Sequence, residues 1–257
     1  MFASRLVLGM SCAVMLSVPS IFAQEVAYLY PSKDNTLYEP GSLTSNGAGQ
    51  TFYAGVTNNG RRRRAVLNFD IMGNLPAGST IIYASLDIVA LKDHTPPPAL
   101  DVTLQLQRAL QDWGEGSSDA GSRGGGGAPA TDGDTTWQHT FYPGSRWTTP
   151  GGDFSSIVSS NVFVTNRGRY TFDSTDELIT DVQDMLDNPK SNFGWGIIAE
   201  DENPTSRASA RQIASREHVN PDIWPLLVVY YLVAPEQAPN RALTGFLRNL
   251  FAIESTR

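Results

Sequence analysis

Apolar and polar residues alternate with a period of two along much of this chain. In residues 101–107, Val102, Leu104 and Leu106 fall on one side, while Asp101, Thr103, Gln105 and Gln107 fall on the other. That is the pattern of a strand with one wet face. Residues 64–70 repeat it with Ala65, Leu67 and Phe69, and residues 80–91 form a longer β-rich run after the turn Leu75-Pro76-Ala77-Gly78. Further strands are predicted at 162–164, 170–172, 194–200, 210–214 and 226–232, and the apolar run 225–233 has the length of a buried strand. Short strands separated by Gly, Pro, Asn and Asp predict an all-β fold, a jelly-roll-type β-sandwich with one short capping helix and long loops.

The helix is expected to start at Ser174. Glu177 follows three residues later, the spacing of a capping box, and Leu178, Val182, Met185 and Leu186 then recur at helical intervals. Asn188-Pro189 stops it. Asp184 and Asp187 lie in the last turns, where the helix dipole disfavours them, so this helix must depend on packing.

Residues 113–160 show no regular pattern and include four consecutive glycines, Gly124 to Gly127. Six aromatics in this stretch (Trp113, Trp137, Phe141, Tyr142, Trp147 and Phe154) predict order, because disordered segments are poor in aromatics. A tail, 234–257, lies beyond the β pattern, with a weakly amphipathic stretch at 242–251.

At the other end, Arg5 precedes an apolar run from Leu6 to Val18, and Ile21-Phe22-Ala23 offers a small residue at a cleavage point. Residues 1–23 thus read as a signal peptide for export, too short in its apolar run to span a bilayer. Residues 24–233 are the β-sandwich domain. The one cysteine, Cys12, falls inside the apolar run, with Gly9 rather than Leu three residues before it, so lipidation is not expected. Removing 23 of the 257 residues leaves 234 with no cysteine, a domain that must stand on its core without disulfides.

Charge narrows the partners. With Arg5 gone, 26 acidic residues face 18 basic ones, a far field that repels polyanions, so nucleic acid is not expected as a partner. No second apolar run is long enough for a membrane span.

Several motifs in order carry a resemblance. They are Lys33-Asp34-Asn35-Thr36-Leu37-Tyr38, Phe52-Tyr53-Ala54-Gly55, Arg64-Ala65-Val66-Leu67-Asn68-Phe69-Asp70-Ile71 and Leu75-Pro76-Ala77-Gly78-Ser79-Thr80-Ile81. Later come Asp112-Trp113-Gly114-Glu115-Gly116, Thr136-Trp137, Asp181-Val182-Gln183, Gly194-Trp195-Gly196-Ile197-Ile198 and Ser215-Arg216-Glu217. Over residues 26–233 the chain resembles the DNRLRE-domain proteins, related to disaggregatase-type repeats and grouped with carbohydrate-binding modules. The resemblance implies a jelly-roll sandwich on an exported protein, often beside polysaccharide-degrading domains. The chain departs from the family in reading Ile223-Trp224-Pro225-Leu226-Leu227 after Ser-Arg-Glu, where Arg-Pro-x-Leu is usual.

Candidate chemistry follows. Trp113, Trp137 and Trp147 could stack on the apolar faces of sugar rings, or could cover the open margin of the core. Glu115, Asp119, Asp132, Asp134 and Asp153 could hold calcium or serve glycoside hydrolysis. No Asp-x-Asp-x-Asp-Gly loop is present, and acidic loop residues are more often turn formers. No other cofactor is indicated. Arg216 and Glu217 could contact an acidic sugar or fix the turn before the last strand. His94, His139 and His218 are scattered and show no zinc spacing. In the run Arg61 to Arg64, alternation places Arg62 and Arg64 on one face, where they could bind a uronate polymer or pair with acidic neighbours.

The expected function is a secreted, non-catalytic sandwich that binds polysaccharide or cell-surface glycan. Its rivals are a structural or adhesive surface protein using the tail, and a polysaccharide lyase or hydrolase with carboxylates or a Tyr/His/Arg group clustered in one groove.

Overall fold

The run at 80–91 becomes the longest strand of the described residues, and much of the sheet is organised around it. The computed structural model describes residues 23–39, 43–92, 101–205 and 208–233. The expected signal peptide and tail fall outside these, apart from Ala23. The strands in the first half are β1 (Ala23–Leu29), β2 (Lys33–Tyr38), β3 (Thr44–Ser45), β4 (Thr51–Val56), β5 (Arg62–Asn68), β6 (Thr80–Lys92) and β7 (Val102–Ala109). Those that follow are β8 (Ala128–Pro129), β9 (His139–Phe141), β10 (Ser145–Arg146), β11 (Phe154–Val164), β12 (Gly168–Phe172), β13 (Trp195–Ala199), β14 (Arg211–Ala214) and β15 (Leu226–Val233). Among the described residues one α-helix, α1 (Asp176–Asp187), completes the all-β, sandwich-like fold.

Eleven strands make one curled sheet in the order β1-β15-β6-β14-β4-β5-β13-β7-β11, with β12 added on β6 and β2 on β5. Leu86 and Asp87 of β6 each have partners in both β12 and β15, so those strands flank β6 on opposite edges. The corner between the two layers is β4. Its residues Thr51–Ala54 pair with β14, and Gly55 and Val56 pair with β5. Gly55 sits at φ +115°, and a Cβ there would lie 2.8 Å from the backbone of Ser209 and Ala210. Only glycine lets the strand turn the corner at that approach.

The main core lies inside the curl. Ala65, Leu67 and Phe69 from β5 and its exit, as the alternation predicts, meet Leu104 and Leu106 of β7, Leu86 and Ile88 of β6, and Leu227 and Val229 of β15. The helix contributes Leu178, Val182, Met185 and Leu186 to the same core and packs on β6 and β11. Its cap differs from the expected one. Thr175 caps α1, its Oγ1 accepting from the Leu178 amide at 3.0 Å, while Ser174 Oγ accepts from the Ala84 amide at 3.2 Å. Ser174 is thereby used to tie the helix entrance to β6. Asp184, unfavourable at a helix end, is held by Arg108 of β7.

The stretch 113–160 is not wholly irregular, since β11 begins at Phe154 and pairs with β7 from Ala109 to Val102.

Candidate binding surfaces

The three loop tryptophans form a second core. Trp113 has no exposed surface, and Trp137 and Trp147 are 9% and 4% exposed. With Leu37 and Val66 they make one cluster, packed by Phe154. The reason lies in β5: Ala65 and Leu67 point into the main core, so Val66 points the other way and would be wet without a cover. The tryptophan loop is that cover. Indole donors are satisfied inside it, Trp113 Nε1 to the Phe193 carbonyl at 2.9 Å and Trp147 Nε1 to the Thr136 carbonyl at 3.0 Å. A stacking platform needs an open ring face, and these rings are turned inward. Of the two roles open to them, stacking on sugar rings and covering the margin of the core, the buried rings take the second.

The arginine run is clamped rather than free to bind an anion. Arg62 donates to both carboxylate oxygens of Glu39, and Arg64 to both of Glu202, with Nε 3.0 Å from Oε1 and Nη2 2.6 Å from Oε2. Both guanidinium groups lie over Trp137, at 5.3 and 5.2 Å from the ring centre, which puts them on one face as expected. Arg63 points the other way, buried over Tyr38 and donating to the Glu39 carbonyl at 2.8 Å. The Arg62 partner holds the Glu39 carboxyl below its ordinary value. Arg62 and Arg64 therefore bring no uncompensated charge to a uronate polymer.

Arg216 and Glu217 stand at a junction of three segments. Arg216 Nε lies 3.1 Å from Glu115 Oε1, and its Nη1 lies 3.1 Å from Glu217 Oε1. The Arg216 amide donates to Asp34 Oδ2 at 2.9 Å, and the Asp34 amide donates to Glu115 Oε1 at 2.8 Å. Pieces of the sequence motifs at 33–38, 112–116 and 215–217 thus meet in one place. Asp34 has no exposed surface, while the side chains of Arg216, Glu115 and Glu217 are half-buried. Burial, reinforced by the nearby Glu217 charge, pushes the Asp34 carboxyl well up. Burial also raises Glu217 to about 7, against the pull of Arg216 and with a push from Glu115.

Of the other acidic loop residues, Asp134, Asp153 and Asp119 serve the loop itself. Asp134 is fully buried and accepts from the amides of Ser117 at 2.9 Å and Thr131 at 2.6 Å. Asp153 accepts from Thr148 and Thr149, and Asp119 from Gly121. Among the described residues, no three acidic, His or Cys side chains are placed to hold a metal ion. His139 is buried, with Nδ1 3.0 Å from Thr136 Oγ1.

The open aromatic surface is elsewhere, on the outer side of β1, β15 and β6. Leu227, Val229, Tyr231 and Val233 of β15 point inward, which turns Leu226, Val228, Tyr230 and Leu232 outward. The apolar run 225–233, expected as a buried strand, is thus buried on one face of β15 and half-exposed on the other. Leu29 of β1 faces the core, so Val26 and Tyr28 face out, and Tyr28 and the following Tyr30 are 62% and 52% exposed. Tyr230 pairs directly with Tyr83 of β6, their rings edge to face at 5.3 Å. Tyr30 meets Trp224 edge to face at 5.6 Å.

A cleft of about 500 Å³ on this face is lined by Gln24, Ile82, Tyr83, Ser85, Val228 and Tyr230, none of them charged. Towards β12 the sheet carries the Arg169–Asp87 ion pair at 3.6 Å. The sequence signal for this surface is slight: Tyr28-Leu29-Tyr30 and two tyrosines inside an otherwise aliphatic run.

No helix among the described residues is long and apolar enough to cross a membrane. No protein-family model matches the chain, and the search of curated proteins finds no matching relative.

Proposed function

We propose that this chain is an exported, non-catalytic glycan-binding β-sandwich, and that its ligand is an uncharged polysaccharide lying along the outer face of β1, β15 and β6. One observation carries the reading: a chain of net charge −7 presents an open, tyrosine-bearing cleft with no charged residue in its lining. The C–H face of a pyranose is apolar and flat and rests well on an aromatic ring, while phenol, amide and hydroxyl groups catch its rim hydroxyls. Tyr28, Tyr30, Tyr83 and Tyr230 supply rings, and Gln24 and Ser85 supply polar contacts. The acidic field and the paired arginines argue against a uronate polymer. The resemblance to DNRLRE-domain proteins and the sequence pattern of residues 1–23 support glycan binding and export respectively.

Affinity electrophoresis in gels containing neutral β-glucans or uronate polymers tests this reading. Retardation by a neutral polymer, lost in Tyr28→Ala and Tyr230→Ala, is expected. No retardation by any polymer, or retardation that survives both substitutions, would overturn it. The rival reading, a structural surface protein, gains from β1, which ends the strand order and carries exposed Val26 and Tyr28. Self-association measured by solution mass, again abolished by Tyr28→Ala, would favour that rival.

A further inference from the structure

Charge does not balance at the junction of Asp34, Glu115, Arg216 and Glu217. Three carboxylates face one guanidinium there. The next cation, Lys33, is bound to Asp112 at 2.8 Å and to the Trp113 carbonyl at 2.5 Å. Two carboxylate oxygens are buried with no hydrogen-bond partner: Asp34 Oδ1, on a side chain with no exposed surface, and Glu217 Oε2. A fully buried carboxylate cannot stay ionised beside two others against a single cation, because desolvation and like-charge repulsion act together. An acceptor left bare in such a place calls for a donor.

We propose that the junction retains one proton in the folded protein, on Asp34 or Glu217, making it a pH-sensitive latch. With the proton present, one of the two carboxyls is neutral and the junction carries one negative charge fewer. When the proton leaves to solvent, both become anionic and Glu115 adds a third charge. The latch joins the start of β2, the segment after β7 and the turn before β15. That turn leads to His218, whose carbonyl accepts from Trp224 Nε1 at 2.7 Å, and Trp224 supports Tyr30. Loss of the proton is therefore expected to loosen the turn at 215–218 first. The inference holds whatever ligand the tyrosine face binds.

Thermal unfolding of the full chain, from about pH 5.5 to about pH 8.5 at fixed ionic strength, tests it. The wild-type midpoint should fall through neutrality by at least about 3 °C relative to Glu217→Gln, which carries a permanent neutral donor. Parallel profiles for the two proteins would overturn the proposal. So would a rise in the wild-type midpoint on adding calcium that Glu217→Gln abolishes, because a metal ion would then occupy the bare oxygens. Infrared spectroscopy of the wild type gives a reading that does not depend on the variant's folding. A protonated-carboxyl band should persist near neutral pH, and its absence would sink the idea.

Discussion

Arg64 and Glu202 meet across 138 residues of chain in a two-point contact, with Arg64 also donating to the Gly151 carbonyl at 2.9 Å. Their side chains are 17% and 14% exposed. Truncating either partner strands a partly desolvated charge, so Arg64→Ala or Glu202→Ala should lower stability by about 2–4 kcal/mol. Arg64→Lys should recover only part of this, since an ammonium cannot reproduce the planar fork. Urea midpoints at constant m would give the values.

The two sets of aromatics should separate stability from binding. Trp113→Ala or Trp147→Ala opens the second core and should cost about 3–5 kcal/mol. Tyr28→Ala removes an exposed ring and should cost under about 1 kcal/mol, yet weaken glycan retention at least about tenfold. Equal stability losses at the two sites would show that the tyrosine face is packing surface.

Gly194 precedes β13 at φ +73°, and a Cβ there would lie 2.0 Å from the Leu67 carbonyl oxygen. Gly194→Ala must strain the backbone and push β13 off β5, costing about 2–4 kcal/mol. Circular dichroism melts of the purified variant would measure it.

At the helix entrance, Thr175→Ala leaves the Leu178 amide without its acceptor and should cost about 1 kcal/mol. Ser174→Ala should be felt as well, through the Ala84 amide in β6. A loss for Ser174→Ala with none for Thr175→Ala would return the cap to Ser174.

On the acid side, burial and the nearby Arg146 charge depress the His139 pKa below its ordinary 6.5. A depressed histidine binds its proton more readily when unfolded, so its contribution is full above about pH 6.5 and is lost as pH falls. Glu217, raised to about 7, has the opposite slope: its contribution is present below its ordinary 4.5 and lost as pH rises towards 7. His139→Gln should flatten the fall in unfolding midpoint below about pH 6.5 and leave the slope near neutrality unchanged.

Sheet architecture was legible in the sequence because burial on one face leaves a period-two trace, as in Val102, Leu104 and Leu106. The helix was legible for the same reason at its own period. Its cap was not, because Ser174 and Thr175 are adjacent and chemically alike, and the choice rests on a contact with Ala84 some 90 residues away. The tryptophans were visible as ordered aromatics, but whether a loop ring faces water or core depends on what the strand beneath exposes, here Val66. The arginines were visible as a cluster; their partners Glu39 and Glu202 come from segments that only the tertiary fold brings near. The tyrosine face was hidden inside a run that looked buried on both sides.

The position of β15 between β1 and β6 has a consequence for how the molecule is made. The first and sixth strands wait, each with an unpaired edge, until the last strand arrives to fill the gap between them. A nascent chain therefore cannot close its sheet before residue 233 is available, and closing it joins segments some 200 residues apart. Such long-range closure is slow.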